Sequence, residues 1–211
     1  MTTSETARSD AIHATPRISP RQFLKIRARE NPPFGPAVAA DARAVAATLV
    51  EPGRVDTTWS TLLLVLRMIW EADGFSALLL IRLASAFRSW GFPVLPTLLR
   101  RFAIIIAQVH VGAPVILEPG IVLPHGQVVI DGIVRIGSGA VIRPFVTIGL
   151  AEGEFEGPTI GRGAKIGTGA KVLGPITIGA NVKVGANAVV ISDVPDDATV
   201  VGVPGRIVGT T

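Results

Sequence analysis

Ile130-Asp-Gly-Ile-Val-Arg-Ile136-Gly-Ser-Gly-Ala-Val-Ile142-Arg-Pro-Phe-Val-Thr-Ile148-Gly149 sets an isoleucine at every sixth residue. The beat resumes at Ile160 and runs through Ile166, Val172, Ile178 and Val184 to Val190. Twelve residues, two beats, separate Ile148 from Ile160, so the second run keeps the frame of the first. Val111, Leu117 and Leu123 hold the same beat offset by one residue. Glycine usually follows the aliphatic residue, as in Ile136-Gly137 and Ile160-Gly161, and a small or branched residue such as Ala140, Ala164 or Val182 comes four after it. Helices repeat near 3.6 residues and strands near 2, so a strict six points to a solenoid of short strands and turns. The aliphatic side chain fills the interior, and glycine lets the backbone turn without a Cβ clash. Stacked coils then share one core and leave no free sheet edge along their length.

Between 130 and 190 only Glu154 breaks the aliphatic position. A lone carboxylate inside the coil would cost on the order of several kcal/mol. The segment 150–158 is therefore expected to leave the coil as a loop, acidic through Glu152, Glu154 and Glu156. Upstream, residues 1–35 are polar and aperiodic and read as a loose arm, with an alanine-rich short helix over 36–52 inside a first unit of 1–55. Residues 56–109 read as a helical region. Asp56-Thr57-Thr58 caps a helix through Met68 and Trp70, a second runs from Phe75 to Trp90, and a third from Leu95 to Val109. Residues 110–211 form the solenoid. Helices apolar on most faces must be covered, either by a neighbouring subunit or as a helical cap.

The chain has 211 residues, 48% hydrophobic and 17% charged, which supports a long core, and with no Cys it has no disulfides. No basic-capped apolar leader opens it, and Arg67, Arg82, Arg88, Arg100 and Arg101 interrupt the apolar runs before about 20 residues accumulate. A cytoplasmic protein is expected. Residues 1–110 carry 13 Lys/Arg against 8 Asp/Glu, but scattered and without interleaved aromatics, which argues against nucleic acid. Peripheral contact with an anionic membrane surface stays open.

Leu123-Pro-His125-Gly, Val146-Thr-Ile-Gly149, Lys171-Val-Leu-Gly-Pro-Ile176 and Gly202-Val-Pro-Gly-Arg-Ile207 follow one another in this order. The chain resembles, over roughly 56–209, the serine acetyltransferase branch of the hexapeptide acyltransferases. Within that branch its Pro-His step and short apolar helices are most similar to the exopolysaccharide (colanic-acid type) O-acetyltransferases. The resemblance implies a mainly β fold, a left-handed parallel β-helix behind short helices. It also implies a homotrimer or assembly of trimers with acetyl-CoA in grooves between solenoids, and no metal. It makes His125 the general base for an acceptor hydroxyl, a role neutral imidazole suits near pH 7.

His110 stands where the resemblance expects a carboxylate that orients the base; either His110 itself takes that catalytic role, without the opposite charge, or a carboxylate substitutes, with Glu118 and Asp131 as candidates. Pro124 replaces an Asp, and Glu156-Gly157-Pro158 replaces Arg-His-Pro, residues that hold an amino acid's charged groups in the family. A saccharide hydroxyl is therefore the expected acceptor, with L-serine as the alternative. By the same resemblance Gly149, Thr168 and Ala186 line the pantetheine groove, and Pro204 and Arg206 sit at the nucleotide end. Two other readings stand beside this one. A catalytically silent scaffold fits the missing acidic partner. A metal-dependent carbonic anhydrase would need three solenoid histidines, and only His110 and His125 are at hand.

Overall fold

The structure is a computed structural model describing residues 19–49, 58–154 and 156–210. Its β region is a three-faced prism. The first face stacks β1 (Val109–Val111), β3 (Val128–Ile130), β6 (Thr147–Gly149), β9 (Lys171–Leu173) and β12 (Val189–Val190). The second stacks β2 (Ile116–Leu117), β4 (Ile133–Ile136), β7 (Glu156–Ile160) and β10 (Thr177–Ile178). The third stacks β5 (Val141–Ile142), β8 (Lys165–Ile166), β11 (Lys183–Val184) and β13 (Ala198–Val201), closed by β14 (Arg206–Thr210). All pairings are parallel except β13 with β14. This is the hexapeptide β-helix that the six-residue beat predicts.

The register shows how the beat works. Val111, Ile130, Ile148, Val172 and Val190 pair in succession up the first face. Leu117, Ile136, Ile160 and Ile178 do so on the second, and Ile142, Ile166, Val184 and Val200 on the third. Every one of these side chains is buried, at roughly 2 kcal/mol each relative to exposure. Glycine after the aliphatic residue has a different physical reason from the expected turn. A Cβ on Gly161 would lie 2.5 Å from the Gly179 carbonyl carbon, so glycine here lets successive coils stack closely. Ile136 pairs with Ile160, 24 positions on, where an uninterrupted coil needs 18. The extra hexad falls between β6 and β7, and Leu150–Glu154 lie exposed outside any strand. Glu154 is thus outside the core, and the frame survives because the insertion is one beat long.

Five helices precede the prism among the described residues: α1 (Pro20–Arg29), α2 (Phe34–Leu49), α3 (Thr58–Glu71), α4 (Asp73–Trp90) and α5 (Leu95–Ala107). The loose-arm reading of 1–35 fails at α1. Ser19 caps that helix by accepting from the Gln22 N–H, and Pro20 opens it at a position where a missing N–H costs nothing. The expected cap residues Asp56 and Thr57 lie outside the described residues. α5 stops at Ala107, before the expected Val109, because Gln108 turns left-handed (φ 54°) and hands the chain to β1. Ala77, Leu78 and Ile81 of α4 and Ala103 and Ala107 of α5 join the prism's own core and plug its first end.

A buried ion pair ties this plug to the coil. Arg82 of α4 donates through Nε to Asp41 Oδ2 at 2.9 Å and through a terminal nitrogen to Oδ1 at 3.2 Å. The same guanidinium bonds the carbonyls of Leu117 and Glu118, while Asp41 Oδ1 accepts from the N–H groups of Gly120 (2.8 Å) and Ile121 (2.9 Å). Burial pushes the Asp41 carboxyl up; Arg82 and the two amides pull it back.

Candidate active site

One edge of the prism, where the third face turns into the first, gathers most of the residues singled out in the sequence. His125 lies in its first turn, Leu123–Gln127. Seven positions separate Leu123 from Ile130, against six from Ile142 to Ile148, so this turn holds one residue more than the next coil. His125 is exposed on it, and Gln127 takes up the left-handed conformation (φ 63°). That surplus residue is the offset of the early trio, visible in the sequence without a meaning until the coil closes.

Both plugging helices hold this turn. A Cβ on Gly74 would come within 2.1 Å of the Leu123 carbonyl oxygen, so only glycine allows the start of α4 to lie there. At the end of α5, Ala107 O accepts from the Gln127 N–H at 2.8 Å, and a Cβ on Gly126 would strike the same carbonyl. Between the two helix ends opens a cleft of about 370 Å³, lined by Asp73, Ile105, Ile106, Ala107, Gln108, His125, Gly126 and Gln127. Asp73 was not among the sequence candidates; nothing in its spacing from His125 signals that α4 brings it there. A second cleft of similar size lies between α1 and α4 and contains none of the predicted site residues.

Down the same edge, turn hydrogen bonds run coil to coil. Phe145 N–H donates to Gln127 O, Gly169 N–H to Pro144 O, Asn187 N–H to Thr168 O and Val189 N–H to Gly202 O. Thr168 and Ala186 are exposed on this edge, and the loop carrying Pro204 packs at its far end through Gly205 N–H to Val189 O. Arg206 starts β14 beside it, exposed. Gly149 lies elsewhere: it is buried at the end of β6, on the edge between the first and second faces, next to the inserted segment. Glu156, Gly157 and Pro158 open β7 at that second edge as well. A single chain therefore splits the predicted site between two edges.

The acidic substitutes fare differently. Glu118 is engaged by Arg135 at 2.7 Å, and Asp131 accepts from the Gly132 N–H at 2.9 Å; neither lines the His125 cleft. His110 sits exposed on β1, paired in register with Val129, and does not line the cleft either. Among the described residues no group of three or more His, Asp or Glu stands close enough to hold a metal, and no helix is long and apolar enough to cross a membrane.

Comparison with known proteins agrees with the fold. Residues 157–192 match the model of the bacterial transferase hexapeptide (six repeats) family. The chain is 37% identical over 139 residues to a serine acetyltransferase of Synechococcus elongatus, covering 64% of this chain and 57% of that one. It is 36% identical over 149 residues to a serine acetyltransferase of Helicobacter pylori strain J99, covering 66% of this chain and 85% of the relative. The match spans less than two-thirds of the two cyanobacterial relatives, 57% of the Synechococcus protein and 59% of the Synechocystis one. A truncated serine acetyltransferase apoenzyme superimposes with a TM-score of 0.72 at 30% identity, covering 92% of this chain and 80% of that one. A serine acetyltransferase in complex with CoA superimposes with a TM-score of 0.66 at 30% identity, covering 92% and 77%.

Proposed function

Since the chain belongs to the serine acetyltransferase family of hexapeptide transferases, we propose that it is an acetyl-CoA-dependent O-acetyltransferase with His125 as general base. The observation that carries this is the exposed imidazole in a cleft at one end of an edge whose other end holds Pro204 and Arg206. Four coil steps of about 4.8 Å separate the two ends, roughly 19 Å, a length an extended pantetheine arm spans. Thr168 and Ala186 lie along it, and Arg206 offers a guanidinium for phosphate at the nucleotide end. The relative solved with CoA supports the donor.

The chemistry needs no covalent enzyme intermediate. The imidazole takes the proton of the acceptor hydroxyl as its oxygen attacks the thioester carbonyl carbon, forming the C–O bond. The tetrahedral oxyanion then collapses, the C–S bond breaks, and the imidazolium returns the proton to the departing thiolate. Because Gly149 and the start of β7 lie on a different edge from His125, the full site forms when that edge of one copy meets the His125 edge of another. A homotrimer supplies this meeting, and the exposed Trp59, Leu62, Leu66 and Trp70 of α3 supply apolar surface for assembly.

L-serine is the acceptor that the relatives support, which moves the reading away from the exopolysaccharide acceptor expected from the sequence. One observation favours a saccharide hydroxyl as the second reading: no Arg or Lys lines the His125 cleft to pair with a substrate carboxylate. Thiol release from acetyl-CoA with L-serine and a panel of neutral monosaccharides decides between them. Turnover with serine alone returns the first reading and turnover with a sugar alone the second. No release with any hydroxyl acceptor, with acetyl-CoA bound, refutes the transferase assignment.

A further inference from the structure

We propose that Phe145 sets the donor specificity of the His125 edge: its ring walls the thioester end of the bound acyl-CoA and restricts the acyl group to acetyl. This rests on the reading of that edge as the acyl-CoA groove. At the other left-handed corners of the edge stand Gln127, Gly169 and Asn187, with φ of 63°, 75° and 56°. Glycine takes this conformation without steric cost and Asn at a small one, whereas a side chain as bulky as phenylalanine does so rarely. Phe145 does so at φ 62°, with 56% of its surface exposed. Its ring joins neither buried cluster and meets no other aromatic ring among the described residues. The fold therefore does not account for a phenylalanine at this corner, and strained positions of this kind gather at ligand sites.

Hydrogen bonds fix its place on the edge. The Phe145 N–H donates to the Gln127 carbonyl at 2.7 Å, which sets it one coil below a residue that lines the His125 cleft. One coil further on, the Gly169 N–H donates to the Pro144 carbonyl at 2.9 Å. Lys171 Nζ locks both corners by donating to the Phe145 carbonyl at 2.7 Å and the Gly169 carbonyl at 3.0 Å. Gly169 brings no side chain against the ring, so the edge stays open between Phe145 and Thr168. One coil step is about 4.8 Å. The acyl carbon must come within about 3–3.5 Å of the attacking oxygen, and that oxygen within about 3 Å of the imidazole. The acyl group thus reacts at the level of Phe145, with the pantetheine arm running on past Thr168 and Ala186. An aromatic wall there shields the thioester from water and fills the volume that a longer acyl chain needs. Glycine or asparagine at this corner would fold more cheaply and leave that volume free.

The test takes wild type, F145N and F145G as intact assemblies. It measures Tm, calorimetric Kd for acetyl-CoA, and kcat/KM for acetyl-CoA and butyryl-CoA by thiol release with the acceptor that the wild type uses. Both variants should melt at or above the wild-type temperature, by up to about 8 °C, because the strained corner is relieved. Kd for acetyl-CoA should nevertheless rise about 10- to 100-fold, the worth of burying one large apolar side chain. The kcat/KM ratio of butyryl-CoA to acetyl-CoA should rise at least about 10-fold. Phe145→Tyr should keep the wild-type Kd and preference. A lower Tm in both variants makes Phe145 a packing residue and overturns the inference, as do an unchanged Kd and donor preference. Ala186→Trp, two coils further along the groove, separates this inference from the reading beneath it. If A186W binds acetyl-CoA as wild type does, the groove reading falls and the inference with it. If A186W abolishes binding while F145N and F145G bind and discriminate like wild type, only the Phe145 inference falls.

Discussion

Asp41→Ala removes the carboxylate that joins α2 to α4 and to the first coil. Asp41 and Arg82 are 1% and 4% exposed, so the guanidinium left behind cannot rehydrate without opening the packing between helices and prism. Breaking a buried pair by deleting one partner costs about 3–5 kcal/mol. Part of that figure is the Gly120 and Ile121 N–H groups, which lose their acceptor and stay among buried neighbours. For a chain of this length each kcal/mol moves Tm by about 2–4 °C, so the expected fall is about 6–20 °C. The assay is thermal unfolding at fixed protein concentration, with amide exchange at Gly120 and Ile121 as the local reporter. Asp41→Ala combined with Arg82→Met should recover a good part of the loss, because no unpaired charge remains. Recovery stays incomplete, since the Leu117 and Glu118 carbonyls lose their donor. A Tm fall below about 2 °C for the single variant, or a double variant no better than the single, would refute the argument that the buried pair governs this junction.

His125→Ala should reduce transfer by about 100- to 10,000-fold while acetyl-CoA still binds; His110→Ala, on the face of β1 and outside the cleft, should cost far less. Steady-state kinetics and calorimetry of both variants check the pair. Gly74→Ala sets a methyl group against the Leu123 carbonyl, so stability should drop by about 1–3 kcal/mol and turnover should fall with it, as the His125 turn moves. A native-like urea midpoint with full activity would show that α4 does not hold the turn. Light scattering at micromolar concentration should give three times the 22.0 kDa chain mass or a multiple of that; a monodisperse monomer would sink the shared-groove proposal.

Much of the prism was legible because its core is one-dimensional. Each coil repeats the same contact, so Ile136, Ile160 and Ile178 announce their burial by spacing alone. Glu154 was legible for the same reason, as a charge at a position that buries aliphatic side chains. The helices from α3 onward followed from apolar runs and their Gly and Pro punctuation. α1 was missed: Phe23, Leu24, Ile26 and Ala28 stand among five polar residues in a short helix, and what holds it is tertiary, including Arg27 Nε on the Pro114 carbonyl at 3.2 Å. The acceptor side was read from absent residues, Pro124 and Glu156-Gly157, and nothing in the sequence places Asp73 in the wall of the same cleft as His125.

The sequence by itself determined the coil, its interruption, the position of the one turn histidine and the order of the segments that follow it, since these depend on spacing along the chain. Only the tertiary structure decided which of these residues share an edge. Corner positions recur once per coil, so Thr168 and Ala186 fall below His125 while Gly149, similar in sequence context, ends on another edge. It also decided that Asp73 faces the cleft, since the close approach of Gly74 to Leu123 is a contact across 49 positions that no local pattern encodes. Periodicity fixes what repeats along a chain, whereas a site is made where segments far apart in sequence meet.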